Sequence, residues 1–204
     1  MPFSRAALLH DVAAFGCLAT ALSLAALPSA GVAQQEAPLV LEARGGYAAP
    51  LASFADGARP GEGVGGGASF GVTFLVPGAR WSLYAGFSQH RFGCEEAGCA
   101  PGARLVATGF DVGYRVGLRA GPAIPWVSLG ALTTRVETAL AGPNAGVSDH
   151  AFGLEVGAGV YLGAWSPVAV NPGLRLAAVN TRLPGGSLLR MRYLVAEVAL
   201  ALSF

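Results

Sequence analysis

The sequence predicts an all-β protein, an eight-stranded antiparallel up-and-down β-barrel that crosses a membrane and follows a cleaved signal peptide. Three observations predict this fold class. The chain of 204 residues is 53% hydrophobic and only 12% charged, whereas soluble domains carry roughly 25% charged residues. Apolar residues alternate with small or polar residues in segment after segment, which is typical of strands. Long and short connections also alternate along the chain, as in an up-and-down membrane barrel.

The N-terminal region has the composition of a secretory signal peptide. Arg5 precedes an apolar stretch from Val12 to Leu27, and small residues at Gly31 and Ala33 form a cleavage site. We therefore expect residues 1–33 to be removed and residues 34–204 to form one barrel domain. A retained membrane anchor and a lipoprotein acylated on Cys17 are the alternatives. The formal net charge of +1 gives no reason to expect a nucleic-acid partner.

Eight segments with period-two alternation supply the strands. They span residues 38–48, 67–76, 81–90, 104–118, 126–137, 150–163, 168–179 and 189–204. The apolar face of each extends over about ten residues, the length of a tilted strand that crosses a bilayer. The fifth segment is ambiguous, because Val127, Leu129 and Ala131 compete with Trp126, Leu132 and Val136 for the apolar face. The opposite faces are rich in glycine and serine, which suits the interior of a narrow barrel.

The connections favour one orientation. The predicted long connections are 49–66, 91–103, 138–149 and 180–188, and the short ones are 77–80, 119–125 and 164–167. Short turns on the periplasmic side and longer loops outside are typical of such barrels, with both termini in the periplasm.

Aromatic residues are expected at the two membrane interfaces. Trp81, Trp126, Trp165 and Phe204 lie at the predicted periplasmic strand ends and form the expected aromatic girdle there. Four further aromatic residues are expected at the outer interface, and these are Tyr47, Phe70, Phe87 and Phe152.

Seven charged residues occupy the predicted interior face, where an unpaired charge is costly. They are Glu42, Arg44, Asp111, Arg115, Glu155, Arg175 and Glu197. We predict that Arg175 bridges Glu155 and Glu197, because these three residues lie at similar heights on neighbouring strands. For Arg115 two partners stay open, Asp111 on its own strand and Glu42.

The signal peptide, the eight alternating segments, "FGLEVGAGVYLG" and the closing "VAEVALALSF" together resemble the small eight-stranded outer-membrane β-barrel family, which includes the OmpA transmembrane domain and OmpX-like proteins. The resemblance implies a bacterial outer-membrane monomer surrounded by lipid, without a cofactor and without a further domain. It also implies that the barrel-assembly machinery reads the last strand with its terminal Phe204. The implied role is structural or surface-interacting, with an unknown partner for the loops.

Export would bring Cys94 and Cys99 into an oxidising compartment. We therefore predict a local disulfide between them. A metal site is the alternative, although no histidine pair accompanies the two thiols.

Three other functions stay open from the sequence. The interior charged residues could exchange ion-pair partners and thereby open a narrow pore. Pro172, inside the seventh segment, could interrupt strand pairing and permit lateral passage of small apolar molecules. A lipid A-modifying hydrolase would need a serine, a histidine and an acid that converge. The candidate sets are Ser88 and His90 with Glu95 and Glu96, and Ser148 with Asp149 and His150.

Overall fold

The computed structural model describes residues 39–54, 60–76, 79–94, 104–118, 123–138, 146–163 and 166–204, with the side chains of 74–76, 79 and 94 excepted. The described residues form nine strands: β1 Leu39–Pro50, β2 Pro60–Val76, β3 Ala79–Cys94, β4 Arg104–Leu118, β5 Ala123–Thr138, β6 Gly146–Val147, β7 Ala151–Leu162, β8 Val168–Arg182 and β9 Leu188–Ser203. They include no helix that is long and apolar enough to span a membrane.

Eight of the strands close into an antiparallel up-and-down barrel. Each strand pairs with its sequence neighbour, β5 pairs with β7, and β1 pairs with β9 to close the cylinder. The two-residue β6 only extends the outer end of β5. The predicted pairing of residues 195–204 with 39–47 is confirmed, since Tyr47 lies opposite Ala196 and Val40 lies opposite Ser203. A closed sheet leaves no edge strand with unpaired backbone groups, which a membrane-spanning sheet requires.

The alternation of side chains follows the predicted faces. Leu41, Phe70, Leu83 and Leu200 are exposed on the outer surface, and the residues between them point inward. The structure resolves the fifth segment: Val127 and Leu129 face outward, whereas Trp126, Leu132 and Val136 are buried inside. The outer surface is therefore an apolar belt around the barrel.

Several strands are longer than the sequence predicts, and their loops are correspondingly shorter. β2 begins at Pro60 instead of 67, because the glycine-rich stretch 63–67 pairs with the outer half of β3, after an irregularity between Pro60 and Gly63. A Cβ at Gly65 would collide with the His90 ring. The expected long connection 180–188 is also a short turn in the structure, since β8 runs to Arg182 and Gly186 turns the chain with φ +84°.

Candidate functional site in the barrel interior

The centre of the interior contains an ion-pair cluster around Arg175, which β8 directs into the lumen. Its guanidinium donates to Glu155 on β7 at 2.8 Å and to Glu197 on β9 at 3.0 Å. The structure thus has the bridge that we predicted from the heights of these residues. Arg175 also lies 3.5 Å from Asp111 of β4, and Arg44 of β1 donates to the other oxygen of Asp111 at 2.5 Å. One connected network therefore joins five strands.

Tyr84 of β3 also belongs to the cluster around Arg175. Its hydroxyl donates to Glu155 at 2.7 Å. A Cβ at Gly113 or Gly130 would lie 2.6 or 2.7 Å from that hydroxyl oxygen. The glycines on the inward faces of β4 and β5 therefore make the space that lets a large ring cross the lumen.

A second cluster surrounds Glu42, closer to the end of the barrel where the turns are short. Arg115 donates to Glu42 at 2.7 Å, which decides between the two partners left open by the sequence. Tyr161 donates to the same carboxylate at 2.7 Å and Asn171 donates at 3.1 Å. Arg115 also contacts the Tyr161 hydroxyl. Glu42 is buried and has enough partners to offset the loss of water.

Trp126 lies inside the barrel, which makes its expected place in the interfacial girdle wrong. Only 3% of the residue is exposed. Its ring nitrogen donates to Asn171 at 2.7 Å, and the Arg115 guanidinium lies 4.3 Å from the ring centroid, within cation–π range. The ring fits because the facing positions on β7 and β8 are glycines, Gly157, Gly159 and Gly173.

The outer half of the lumen is filled by apolar side chains, which the sequence analysis did not predict. The cluster includes Phe92, Leu105, Leu189, Met191 and Tyr193. Phe54, which follows β1, packs edge-on against Phe92 with ring centroids 5.3 Å apart. A small cavity beneath the cluster, beside Arg44 and His90, has room for about one water molecule. Apolar side chains therefore fill most of the outer half of the described lumen.

Charge balance in the interior depends on a residue that the sequence analysis missed. The seven predicted interior charges comprise four acids and three arginines. Arg80 of β3 also points inward, is part-buried, and lies 5.4 Å from the Tyr161 ring centroid. With Arg80 included, the described lumen has as many basic as acidic side chains. The alternation of side chains along β3 could have identified it, because Arg80 lies on the same face as Ser82 and Tyr84.

The structure does not assemble either hydrolase candidate. His90 is buried between aromatic rings, 5.2 Å from the Tyr193 centroid, and forms no hydrogen bond with Ser88. Ser148 instead accepts from the Val136 backbone and donates to the Asp149 carbonyl, which is a structural role. Glu95 and Glu96 lie outside the described residues.

Within the described residues, no group of three or more His, Cys, Asp or Glu side chains could hold a metal ion. The predicted Cys94–Cys99 disulfide cannot be placed, because the Cys94 side chain and the whole of Cys99 lie outside the described part.

Outward-facing aromatic residues are distributed over the apolar belt. Trp81 is 44% exposed and stacks on Tyr114, with ring centroids 6.3 Å apart. Phe204 is exposed, and its backbone N–H donates to the Leu39 carbonyl. Trp165 lies outside the described residues. All four aromatics expected at the outer interface are exposed, and these are Tyr47, Phe70, Phe87 and Phe152.

A small closed barrel with an apolar outer belt and a paired, filled interior is the architecture of small eight-stranded outer-membrane proteins. No protein-family model matches the chain, and no curated protein matches it either. Among solved structures, Neisserial surface protein A matches with a TM-score of 0.58 and 15% identity, over 82% of this chain and 97% of that one. This likeness shows the fold.

Two further solved structures are similar over most of the chain. Ail, the attachment invasion locus protein of Yersinia pestis, has a TM-score of 0.45 and 12% identity, over 81% of this chain and 97% of that one. The N-terminal β-barrel domain of OprF from Pseudomonas aeruginosa has a TM-score of 0.41 and 17% identity, over 82% of this chain and 99% of that one.

Proposed function

We propose that this protein is a bacterial outer-membrane barrel with both termini in the periplasm and a structural or surface-interacting role without catalysis. The observation that carries the proposal is the contrast between the two faces of the barrel. The outer face is a belt of exposed apolar side chains, and the inner face is an ion-paired and packed core. Such a molecule is stable only when lipid covers the belt.

The packing of the lumen favours this role over a pore. A conducting barrel of eight strands would need a continuous row of polar side chains and water, and small barrels have interiors that side chains alone can fill. Here the apolar cluster around Phe92 and Leu189 occupies the outer half. The ion pairs of Arg175 then serve to hold the interior charges without water.

A planar-bilayer recording distinguishes the two roles. We expect no channel currents from the wild-type protein or from Arg175→Ala, because removing one guanidinium leaves the apolar cluster in place. Discrete single-channel steps in the wild type would favour the pore. Steps in the variant alone would indicate that the Arg175 bridge is a gate.

The lateral-passage alternative has a specific observation in its favour. Along β7 and β8 the pairing stops at Gly159 with Gly173 and resumes at Leu162 with Val170, in the same register. The other side of Pro172 pairs continuously with β9. The Trp126 ring packs against Gly159 and Gly173, the last pair before this gap, so passage along the inner side of the gap would require the ring to move. Uptake of a small apolar dye that Trp126→Ala accelerates would support this alternative.

The hydrolase alternative has a direct test in the lipid A of cells that express the protein. We expect an unchanged lipid A mass spectrum, because neither serine–histidine set has the geometry of a nucleophile and base. Loss of an acyl chain that depends on Ser88 would contradict the proposed role.

Three finer features belong to the same proposal: cleavage after Ala33, a disulfide between Cys94 and Cys99, and recognition of the last strand by the barrel-assembly machinery. Intact-mass measurement of the mature protein, with and without reduction, tests the first two together. Deletion of Phe204 tests the third, and we expect less folded barrel in the membrane with no change in the amount synthesised.

A further inference from the structure

Six outward-facing arginines lie at one end of the barrel, the end with the longer loops. They are Arg91, Arg104, Arg135, Arg182, Arg190 and Arg192. At the opposite end, the outward positions of the described residues carry no basic side chain. Among the described residues, the positive charge on the outer surface is therefore concentrated at the loop end of the barrel.

Three of these arginines form a row across β8 and β9, which we call the arginine triad: Arg182, Arg190 and Arg192. Arg190 lies opposite Asn180, so Arg182 is its diagonal neighbour across the strands and Arg192 follows two residues later on the same face. The Cβ atom of Arg190 therefore lies within about 8 Å of the Cβ atoms of Arg182 and of Arg192, whereas Arg182 and Arg192 are about 13 Å apart along the strands.

No described side chain pairs with the arginine triad. None of the three guanidinium groups forms a hydrogen bond or an ion pair with another described residue, although the backbones of Arg190 and Arg192 are hydrogen-bonded. Like charges at this separation repel one another, and the acids of the interior are on the other face of the sheet. The described residues therefore supply no counter-charge to the triad, and its guanidinium groups are free to pair with an external anion.

The height of the triad indicates what that counter-charge is. On β9 the outward positions from Leu194 to Phe204 are Leu194, Ala196, Val198, Leu200, Leu202 and Phe204. At ~3.3 Å per residue and a tilt of about 40°, this row is about 25 Å tall, the height of the lipid-facing band of an outer-membrane barrel. Arg192 is the first outward residue beyond it, so the triad lies at the level of the lipid headgroups.

We propose that the arginine triad is a binding site for the phosphate groups of a phosphorylated lipid headgroup in the leaflet around the loop end. Guanidinium groups bind phosphate through paired N–H donors, and three of them at the border of the apolar belt match a headgroup whose acyl chains lie along Leu194 and Ala196. The inference rests on the proposed outer-membrane placement.

Native mass spectrometry of the full chain, folded in a neutral detergent, tests the site with bisphosphorylated lipid A as the probe. Each arginine that contacts the bound headgroup should contribute about 1 kcal/mol, or roughly fivefold in affinity, whereas arginines elsewhere on the barrel should contribute little. We therefore expect R182Q/R190Q/R192Q to bind lipid A on the order of a hundredfold more weakly, and Arg190→Gln alone about fivefold more weakly. Dephosphorylated lipid A should bind wild type and variant equally.

The matched control is R104Q/R135Q, which removes two outward arginines on β4 and β5 and should leave lipid A binding close to that of the wild type. Equal loss in both variants would overturn the site in favour of diffuse charge. Undiminished binding by the triple variant, or equally tight binding of dephosphorylated lipid A or of inorganic phosphate, would overturn the proposal. Failure of the proposed function would show separately, as a chain that forms no heat-modifiable barrel in the outer membrane.

Discussion

At the scale of single residues, Arg175 is the described arginine with the largest number of carboxylate partners. Its guanidinium is shared by Glu155, Glu197 and Asp111, all inside the barrel. Removal of one partner from a buried network leaves uncompensated charge, which costs 3–5 kcal/mol in measured cases. Loss of Arg175 should therefore destabilise the interior strongly.

We predict that Arg175→Met lowers the free energy of unfolding by about 3–5 kcal/mol, because three carboxylates lose a shared cation. Denaturant titration in lipid A-free detergent micelles measures this change. The control is Arg182→Met on the same strand, whose side chain faces outward, and its effect should stay within about 0.5 kcal/mol. Equal effects of the two substitutions would contradict the assigned network.

A second residue-scale prediction concerns the space for the Trp126 ring. A Cβ at Gly159 would lie 2.5 Å from the ring, whereas a Cβ at Gly45 on β1 meets no atom within 4 Å. Gly159→Ala should destabilise the barrel by about 1–3 kcal/mol through overpacking. Gly45→Ala should be nearly neutral. Thermal unfolding of the two variants and the wild type in the same detergent measures both effects. A neutral Gly159→Ala would mean that the ring is not packed against β7.

The residue scale also shows what the sequence could not predict. Glu155, Arg175 and Glu197 could be paired from strand phase alone, because charges inside a narrow barrel must meet. Trp126 could not be placed, since both phases of its segment carry apolar residues and aromatic rings are common at interfaces. Only the glycines on β7 and β8 indicate that a ring fits inside, and their partner is defined by strand register, which the sequence does not give.

At the scale of strands, β9 combines two sharply different faces. Leu200 is exposed among apolar neighbours near the middle of the belt, and Ala199 and Ala201 beside it are buried in the lumen. The outward positions of this strand change from apolar to basic only beyond Leu194. A new charge should therefore have a cost that depends on its height along β9.

We predict that Leu200→Arg costs roughly 2–4 kcal/mol, because the charge enters the hydrocarbon region. Leu188→Arg, on the same face at the loop end of β9, should cost about 0–1 kcal/mol. Folding titrations in lipid vesicles give both values. Similar costs at the two positions would show that β9 does not cross the bilayer along its length.

Strand ends were less predictable than strand centres. β2 extends through 61–67, where glycines remove the apolar alternation that would identify a strand, yet these glycines are needed for the close approach of β3 at His90. β8 is also longer than predicted, and because it continues to Arg182 the predicted loop 180–188 is a short turn. Pairing with neighbouring strands, not local pattern, decides where these strands end.

At the scale of the whole molecule, the interior of the barrel consists of layers of side chains stacked from the turn end to the loop end. An apolar group that includes Val40 and Ile124 closes the turn end, two hydrogen-bonded ionic clusters follow, and a larger apolar group fills the loop end. The number of strands, their order and the lipid-facing surface were predictable, because each depends on a repeated pattern. The apolar filling of the outer lumen was not, because the predicted inward faces are small and polar, whereas Leu105, Leu189 and Met191 also point inward.

Cell fractionation combined with heat-modifiability on a gel tests the central claim most directly. The account predicts that the protein is found in the outer-membrane fraction and migrates differently before and after boiling, because a lipid-covered eight-stranded barrel stays folded in detergent until it is heated. A protein in the soluble fraction whose migration does not change on boiling would contradict the account.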